Sequence, residues 1–129
     1  MKQEMIALWA GRGLSLVFVL FMLGASVAPK LLGMPVAEET LAALGWPPGY
    51  SMMIGIIELT CVVLYLFPRT RLLGAILMTG LLGGAIATQL RAQNPLFSHV
   101  LFSFYIAAFM WGGLWLRMPA IRAALPLLR

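Results

Sequence analysis

The sequence predicts an all-α integral membrane protein: a four-helix bundle with both termini cytoplasmic and a short amphipathic helix in the first periplasmic loop. Three observations carry this prediction. The first is composition: 62% of the 129 residues are hydrophobic and 10% charged, where soluble domains carry about 25% charged residues. A soluble core of this size could not hide so much apolar surface. The second is distribution, because the apolar residues fall into four runs, each about one membrane crossing long, joined by short polar connections. The third is the placement of charge. Lys2, Arg12, Arg69, Arg71, Arg117, Arg122 and Arg129 fall on the side of the termini and second loop, and only Lys30 and Arg91 on the other. Seven against two is the bias that holds the first side in the cytoplasm. The expected spans are residues 13–29, 50–67, 72–90 and 98–116, in one domain covering 1–129.

Residues Met1–Arg12 are a short polar start, and Gly13–Ala28 then runs without a charge. Ser26-Val27-Ala28 loosely fits a signal-peptide cleavage site, but Pro29 would follow the cut, where proline is unfavourable. The run is read as the first transmembrane helix. In the loop Lys30–Gly49, Pro35 can open a short helix and Gly45 can close it. Val36, Leu41 and Leu44 alternate there with Glu38, Glu39 and Thr40, a weakly amphipathic pattern suited to the bilayer surface. Trp46 suits a membrane–water boundary, and Pro47-Pro48-Gly49 forces a turn.

Tyr50–Phe67 is the second span, with one charge, Glu58, near its centre. Pro68-Arg69-Thr70-Arg71 is a tight basic turn. The third span, Leu72–Leu90, carries Gly74, Gly80, Gly83 and Gly84 among small residues. That much glycine weakens a helix in water, whereas in a bilayer it lets helices approach closely. This predicts the third helix as the buried one, with Gly80, Gly83 and Gly84 in its packing faces. Arg91–His99 is a short loop broken by Pro95. Val100–Leu116 forms the fourth span, with Gly112 and Gly113 as further packing positions. The tail holds Arg117, Pro119, Arg122 and Arg129 with apolar Ile121, Leu125, Leu127 and Leu128, a pattern for lying on the membrane surface.

The single cysteine, Cys61, excludes a disulfide framework within the chain. One histidine and one cysteine cannot meet the usual ligand counts of a metal site. The net charge of +5 reads as topology signals between apolar spans rather than a nucleic-acid surface. The nine methionines read as lipid-facing or core filler. No catalytic residue emerges.

Glu58 is the sharpest single signal. A bare carboxylate at mid-bilayer is costly, so it must be neutral, paired or facing a polar cavity. Gly55 and Cys61 lie one turn away on its face, and Tyr65 a second turn on. The functional reading is a ligand anchor or proton carrier; the structural one is a hydrogen-bonded tie between helices. Lys30, Gln89, Arg91 and His99 gather toward the outer end. With Thr79 and Gly83 of the third helix and Glu58 below, they outline a vestibule polar at its mouth and apolar beneath. A hydrophobic ligand with an oxygenated head, such as a quinone, or a lipid would suit it. The expected ligand-binding set is Glu58, Thr79, Gly83, Gln89, Arg91 and Lys30, with no covalent cofactor.

At TGLLGGAIATQLR the chain resembles the DoxX-like membrane proteins, whose third helix reads close to LGAILLTGYLGGAIATHLR. Leu73–Arg91 matches that pattern nearly throughout. Gly24-Ala25 with Lys30, Gly55 with Glu58, Pro68-Arg69-Thr70-Arg71, and Arg117-Met118-Pro119 after the fourth helix also fit. Gln89 stands where the family often has His, which removes a titratable group from the vestibule, and Leu81-Leu82 replaces a common Tyr-Leu. The resemblance implies a bacterial inner-membrane protein serving a redox or oxidative-stress partner. Two other classes stay open: a non-enzymatic assembly partner or homo-oligomer, and a small multidrug-type transporter. Such transporters carry their membrane Glu in the first helix, and their dual-topology members lack a seven-to-two bias.

Overall fold

A computed structural model describes residues 2–126, and all of the regular structure among them is helical. Arg129 and the apolar Leu127 and Leu128 of the expected surface tail lie outside the described residues. The six helices are α1 (Lys2–Leu31), α2 (Pro35–Ala43), α3 (Ser51–Leu66), α4 (Arg71–Arg91), α5 (Leu96–Arg117) and α6 (Pro119–Ala124). Helices α1, α4 and α5 are long and apolar enough to cross a membrane, at 30, 21 and 22 residues.

Helix α1 begins at Lys2, well before the start expected near residue 13. Charges in Met1–Arg12 do not stop a helix when they sit on an exposed face. Arg12 lies 4.9 Å above the Trp9 ring, and the two share the exposed surface. Gly11, the one weak helix former there, is where α5 crosses: a Cβ at Gly11 would stand 2.7 Å from the Gly113 carbonyl oxygen. Further along, α1 widens into π-helix at Met22–Val27 and returns to α-helix for Ala28–Leu31. Pro29 gives the reason, since it has no N–H for the carbonyl four residues back. Such π segments are often found at functional sites.

Helix α3 has only 16 residues because prolines bracket it. Pro47-Pro48-Gly49 precedes it, and Pro68 forces Phe67 into extended backbone at ψ 133°. Three helices end in the same hydrogen-bonded motif, with a left-handed residue just past the last turn. At α1 this is Gly33, with Met34 N–H donating to the Pro29 carbonyl at 3.0 Å. At α2 it is Gly45, with Trp46 N–H donating to Leu41 at 2.9 Å, and at α4 it is Gln93, with φ 59°.

Helix α1 packs along α5, α3 along α4, and α4 along α5. The core between them gathers Phe18 and Met22 of α1, Val62 and Tyr65 of α3, Met78 and Leu82 of α4, and Met110 and Leu114 of α5. Met22, Met78 and Met110 are fully buried, which assigns those three methionines to core filling. Outside this core, large apolar side chains such as Leu20, Ile56, Ile76 and Phe104 are more than half exposed. Surface of that kind belongs against lipid rather than water.

One expectation is overturned. Helix α4 is not surrounded by the rest of the chain: a Cβ added at Gly80, Gly83 or Gly84 would meet nothing within 4 Å. The inward face of α4 is set by Gly74, Ala75, Met78 and Leu82, which are buried. At 100° per residue the three glycines fall on the opposite face. Met78 and Leu82 fill the core beside Gly74 and Ala75, and the other three glycines are left outside it. Close packing uses other glycines. A Cβ at Gly74 would collide with the backbone of Cys61, Leu64 and Tyr65, and one at Gly113 with Ser15 and the Gly11 carbonyl. Gly112 makes only ordinary contact, 3.4 Å to Leu14.

Candidate functional site

Glu58 is paired. Its carboxylate stands 3.2 Å from the Lys30 ammonium, the one salt bridge among the described residues. Both groups are largely withdrawn from solvent, with side-chain exposures of 9% for Glu58 and 16% for Lys30. Ser26 completes a triad: its hydroxyl donates to the carboxylate at 2.8 Å and accepts from Lys30 at 2.9 Å. Lys30 also donates to the Ser26 backbone carbonyl at 3.3 Å.

Local sequence explains how this assembles. Ser26 lies in the π-helical stretch and Lys30 four residues later, so both face α3, and the lysine takes up a carbonyl of the widened turn. Gly55 clears the way, because a Cβ there would stand 2.8 Å from Lys30 Cβ. The three ammonium protons are all engaged, and the serine proton is used on the carboxylate. A carboxylate offers about four acceptor positions, so the remaining capacity of the triad is to accept. Ser51, in the same row of α3, has a buried hydroxyl without a partner among the described residues.

A second polar network lies where α3 and α5 end and α1 crosses them. Arg117 Nη2 donates to Ser15 Oγ at 2.8 Å, and Tyr65 Oη donates to the Met110 carbonyl at 2.9 Å. Ser15 and Tyr65 are 2.7 Å apart. Since the tyrosine proton is spent on Met110, Ser15 must donate to Tyr65, and the protons run one way from arginine to carbonyl. Arg117 Nε also donates to Gly113, at 3.1 Å.

The residues expected to line a vestibule fall into separate surroundings. Lys30 and Glu58 meet. Thr79 donates to Ala75 at 2.7 Å and accepts from Trp111 Nε1 at 2.8 Å. Gln89 is bonded to Asn94. Gly83 lies on the open face of α4. Arg91 and Thr88 line a pocket of about 260 Å³ with Trp46 and Pro47. His99 is exposed and bonded to Ser98. A separate apolar groove of about 390 Å³ runs between α3 and α4, lined by Ile56, Ile57, Thr60, Cys61, Leu77 and Gly80. Sequence reasoning missed Ser26 and the Ser15–Tyr65–Arg117 network. For Ser26 the available signal was its spacing of four residues from Lys30, which puts both on one helix face.

Long apolar helices with an outward-facing apolar surface and a buried ion pair define a helical membrane protein. Residues 13–113 match the model of the DoxX-like family. The chain belongs to that family. Neither a curated protein nor a solved structure matches it.

Proposed function

We propose that this DoxX-like membrane protein holds a hydrophobic ligand of quinone type between its helices and serves a redox partner in the bacterial inner membrane. The observation that carries the reading is the buried Ser26–Lys30–Glu58 triad. An ion pair inside an apolar helical protein is costly to bury, and its unused capacity is to accept hydrogen bonds. That favours a ligand head bearing a hydroxyl, as a quinol does. Ser51 extends the polar row, and the α3–α4 groove beside Cys61 offers apolar surface for a ring or chain. In this reading α3 is the fourth crossing: its 16 residues span about 24 Å, and tilt of its neighbours or local thinning of the bilayer absorbs the shortfall. The seven-to-two charge bias supports cytoplasmic termini.

The test is anaerobic extraction of protein purified under reducing conditions in mild detergent, with bound quinol quantified by mass spectrometry per polypeptide. Glu58→Gln should lower occupancy about tenfold, the loss of one hydrogen bond to a charged group. Equal occupancy in both proteins, or none above the detergent blank, would return the triad to a structural tie. A second reading, a membrane assembly partner or homo-oligomer, is favoured by a specific observation: the open Gly80, Gly83 and Gly84 face, which allows another helix to approach closely.

A further inference from the structure

We infer that the pocket between the last turn of α4 and the link from α2 to α3 binds the phosphate-class headgroup of an acidic lipid, held by Arg91 and Trp46. The pocket has a volume of about 260 Å³, with Thr88 and Arg91 on one wall and Leu44, Gly45, Trp46 and Pro47 on the other. Sites that enclose a whole small molecule run from about 300 to 1,000 Å³. This one has room for a headgroup and leaves the rest of the molecule outside. It shares no residue with the Ser26–Lys30–Glu58 triad or with the α3–α4 groove.

Arg91 supplies the charge. A basic residue in the last turn of a helix ordinarily bonds the free carbonyl groups there. Arg122 does so for α5, donating to the Trp115 and Leu116 carbonyls. At α4 the backbone meets this need itself: Ala92, Asn94 and Gln93 donate to the Thr88, Gln89 and Leu90 carbonyls at 3.1, 3.2 and 3.0 Å. Arg91 therefore donates to no described residue, and the one salt bridge among the described residues is that of Lys30 with Glu58. No carboxylate lines the pocket. The guanidinium brings to it an uncompensated positive charge and five N–H donors.

The facing wall is held in shape and adds a second donor. Gly45 is in left-handed backbone at φ 90°, Trp46 N–H is bonded to the Leu41 carbonyl at 2.9 Å, and the ring of Pro47 fixes the next φ. The Trp46 ring packs on Tyr50, with 5.8 Å between centroids. The indole N–H groups of Trp111 and Trp115 donate to Thr79 and Leu125, whereas that of Trp46 donates to no described residue. On the α4 wall the Thr88 proton is spent on the Gly84 carbonyl at 2.9 Å, so its oxygen is left to accept, as from a headgroup hydroxyl. Donors on both walls select an oxyanion, and the guanidinium fork matches a phosphodiester. Leu44, Trp46 and Pro47 make the remainder apolar, and the adjoining Leu90 and Tyr50 are 56% and 39% exposed. A soluble anion would leave that apolar surface unused. An acidic lipid uses both parts, and an indole suits the level where headgroups meet acyl chains.

The test is native mass spectrometry of the full chain in mild detergent, titrated separately with phosphatidylglycerol, phosphatidylcholine and inorganic phosphate. The wild-type protein should retain phosphatidylglycerol about tenfold over phosphatidylcholine, whose ammonium meets Arg91 and no carboxylate, as expected for one charge-assisted contact. Arg91→Gln should bring the ratio near one. Arg91 is exposed and bonds nothing described, so that variant should keep the wild-type unfolding midpoint. Trp46→Phe keeps a ring and removes the N–H, and should lower the ratio about threefold. Arg69→Gln, an exposed charge in the turn before α4, should leave it unchanged. Equal retention of the two lipids by wild-type protein would overturn the inference. So would an equal fall in the Arg69 and Arg91 variants, which would mean diffuse surface charge. Inorganic phosphate retained in place of lipid, and lost in Arg91→Gln, would overturn the lipid as the source of the oxyanion. Quinol occupancy is a separate readout, so either reading can fail without the other.

Discussion

Replacing Lys30 by Met strips the Glu58 carboxylate of its cation. With 9% of the Glu58 side chain exposed, water cannot take the place of the ammonium. Removing one partner of a buried pair costs about 3–5 kcal/mol. The residual exposure of Lys30, 16%, places the expected loss at the lower end, about 3 kcal/mol. Glu58→Gln is milder, about 2 kcal/mol, because Lys30 keeps both Ser26 acceptors and gains an amide carbonyl. In the double variant no charge is stranded, and the new amide still accepts from Ser26. Its cost should be close to that of a single variant, which leaves a coupling energy of about 2–3 kcal/mol. The assay is a double-mutant cycle of unfolding in mixed micelles, followed by the fluorescence of the four tryptophans. Hydrogen bonds between helices of membrane proteins average about 0.6 kcal/mol in such cycles. A coupling at or below that value would refute the argument, since Lys30 would then be solvated at the interface rather than committed to Glu58.

Three further outcomes are expected. Gly113→Ala should destabilise by about 1–3 kcal/mol through overpacking against Ser15 and the Gly11 carbonyl, while Gly84→Leu at high detergent dilution should stay within about 0.5 kcal/mol of wild type; denaturation curves of the two variants check this, and a reversed order would put the open face of α4 inside the fold. Tyr65→Phe should cost about 1–3 kcal/mol by leaving the Ser15 proton and the Met110 carbonyl without their partner, read as a lowered unfolding midpoint, and an unchanged midpoint would show that water replaces the phenol. In a Cys61→Ser background, Arg69→Cys should react with an impermeant thiol reagent only after the cytoplasmic face is opened; labelling from the periplasm would reverse the proposed orientation.

Before any folding, the sequence determined the helical membrane class, the family and the positions of most breaks. These are local properties. Apolar run length sets a span, Pro35 opens α2, Gly45 closes it through a backbone geometry that favours glycine, and Pro47-Pro48 and Pro68 bracket α3. It also required that Glu58 be neutral, paired or facing a polar cavity, because an uncompensated charge at that depth is costly whatever its neighbours along the chain. It did not choose among those solutions. Lys30 reads along the chain as a residue of the outer mouth, and only the π-helical widening before Pro29, with the gap at Gly55, turns it onto Glu58. The glycines of α4 were equally undecided. A small residue permits close approach from any side, so Gly74 and Gly80 look alike in sequence. Which one meets a neighbour was decided when Met78 and Leu82 turned into the core, burying Gly74 and leaving Gly80, Gly83 and Gly84 on the far side. Periodicity ranks the faces of a helix against one another, but the face that is buried depends on volumes supplied by helices distant in sequence, and those meet only in the tertiary fold.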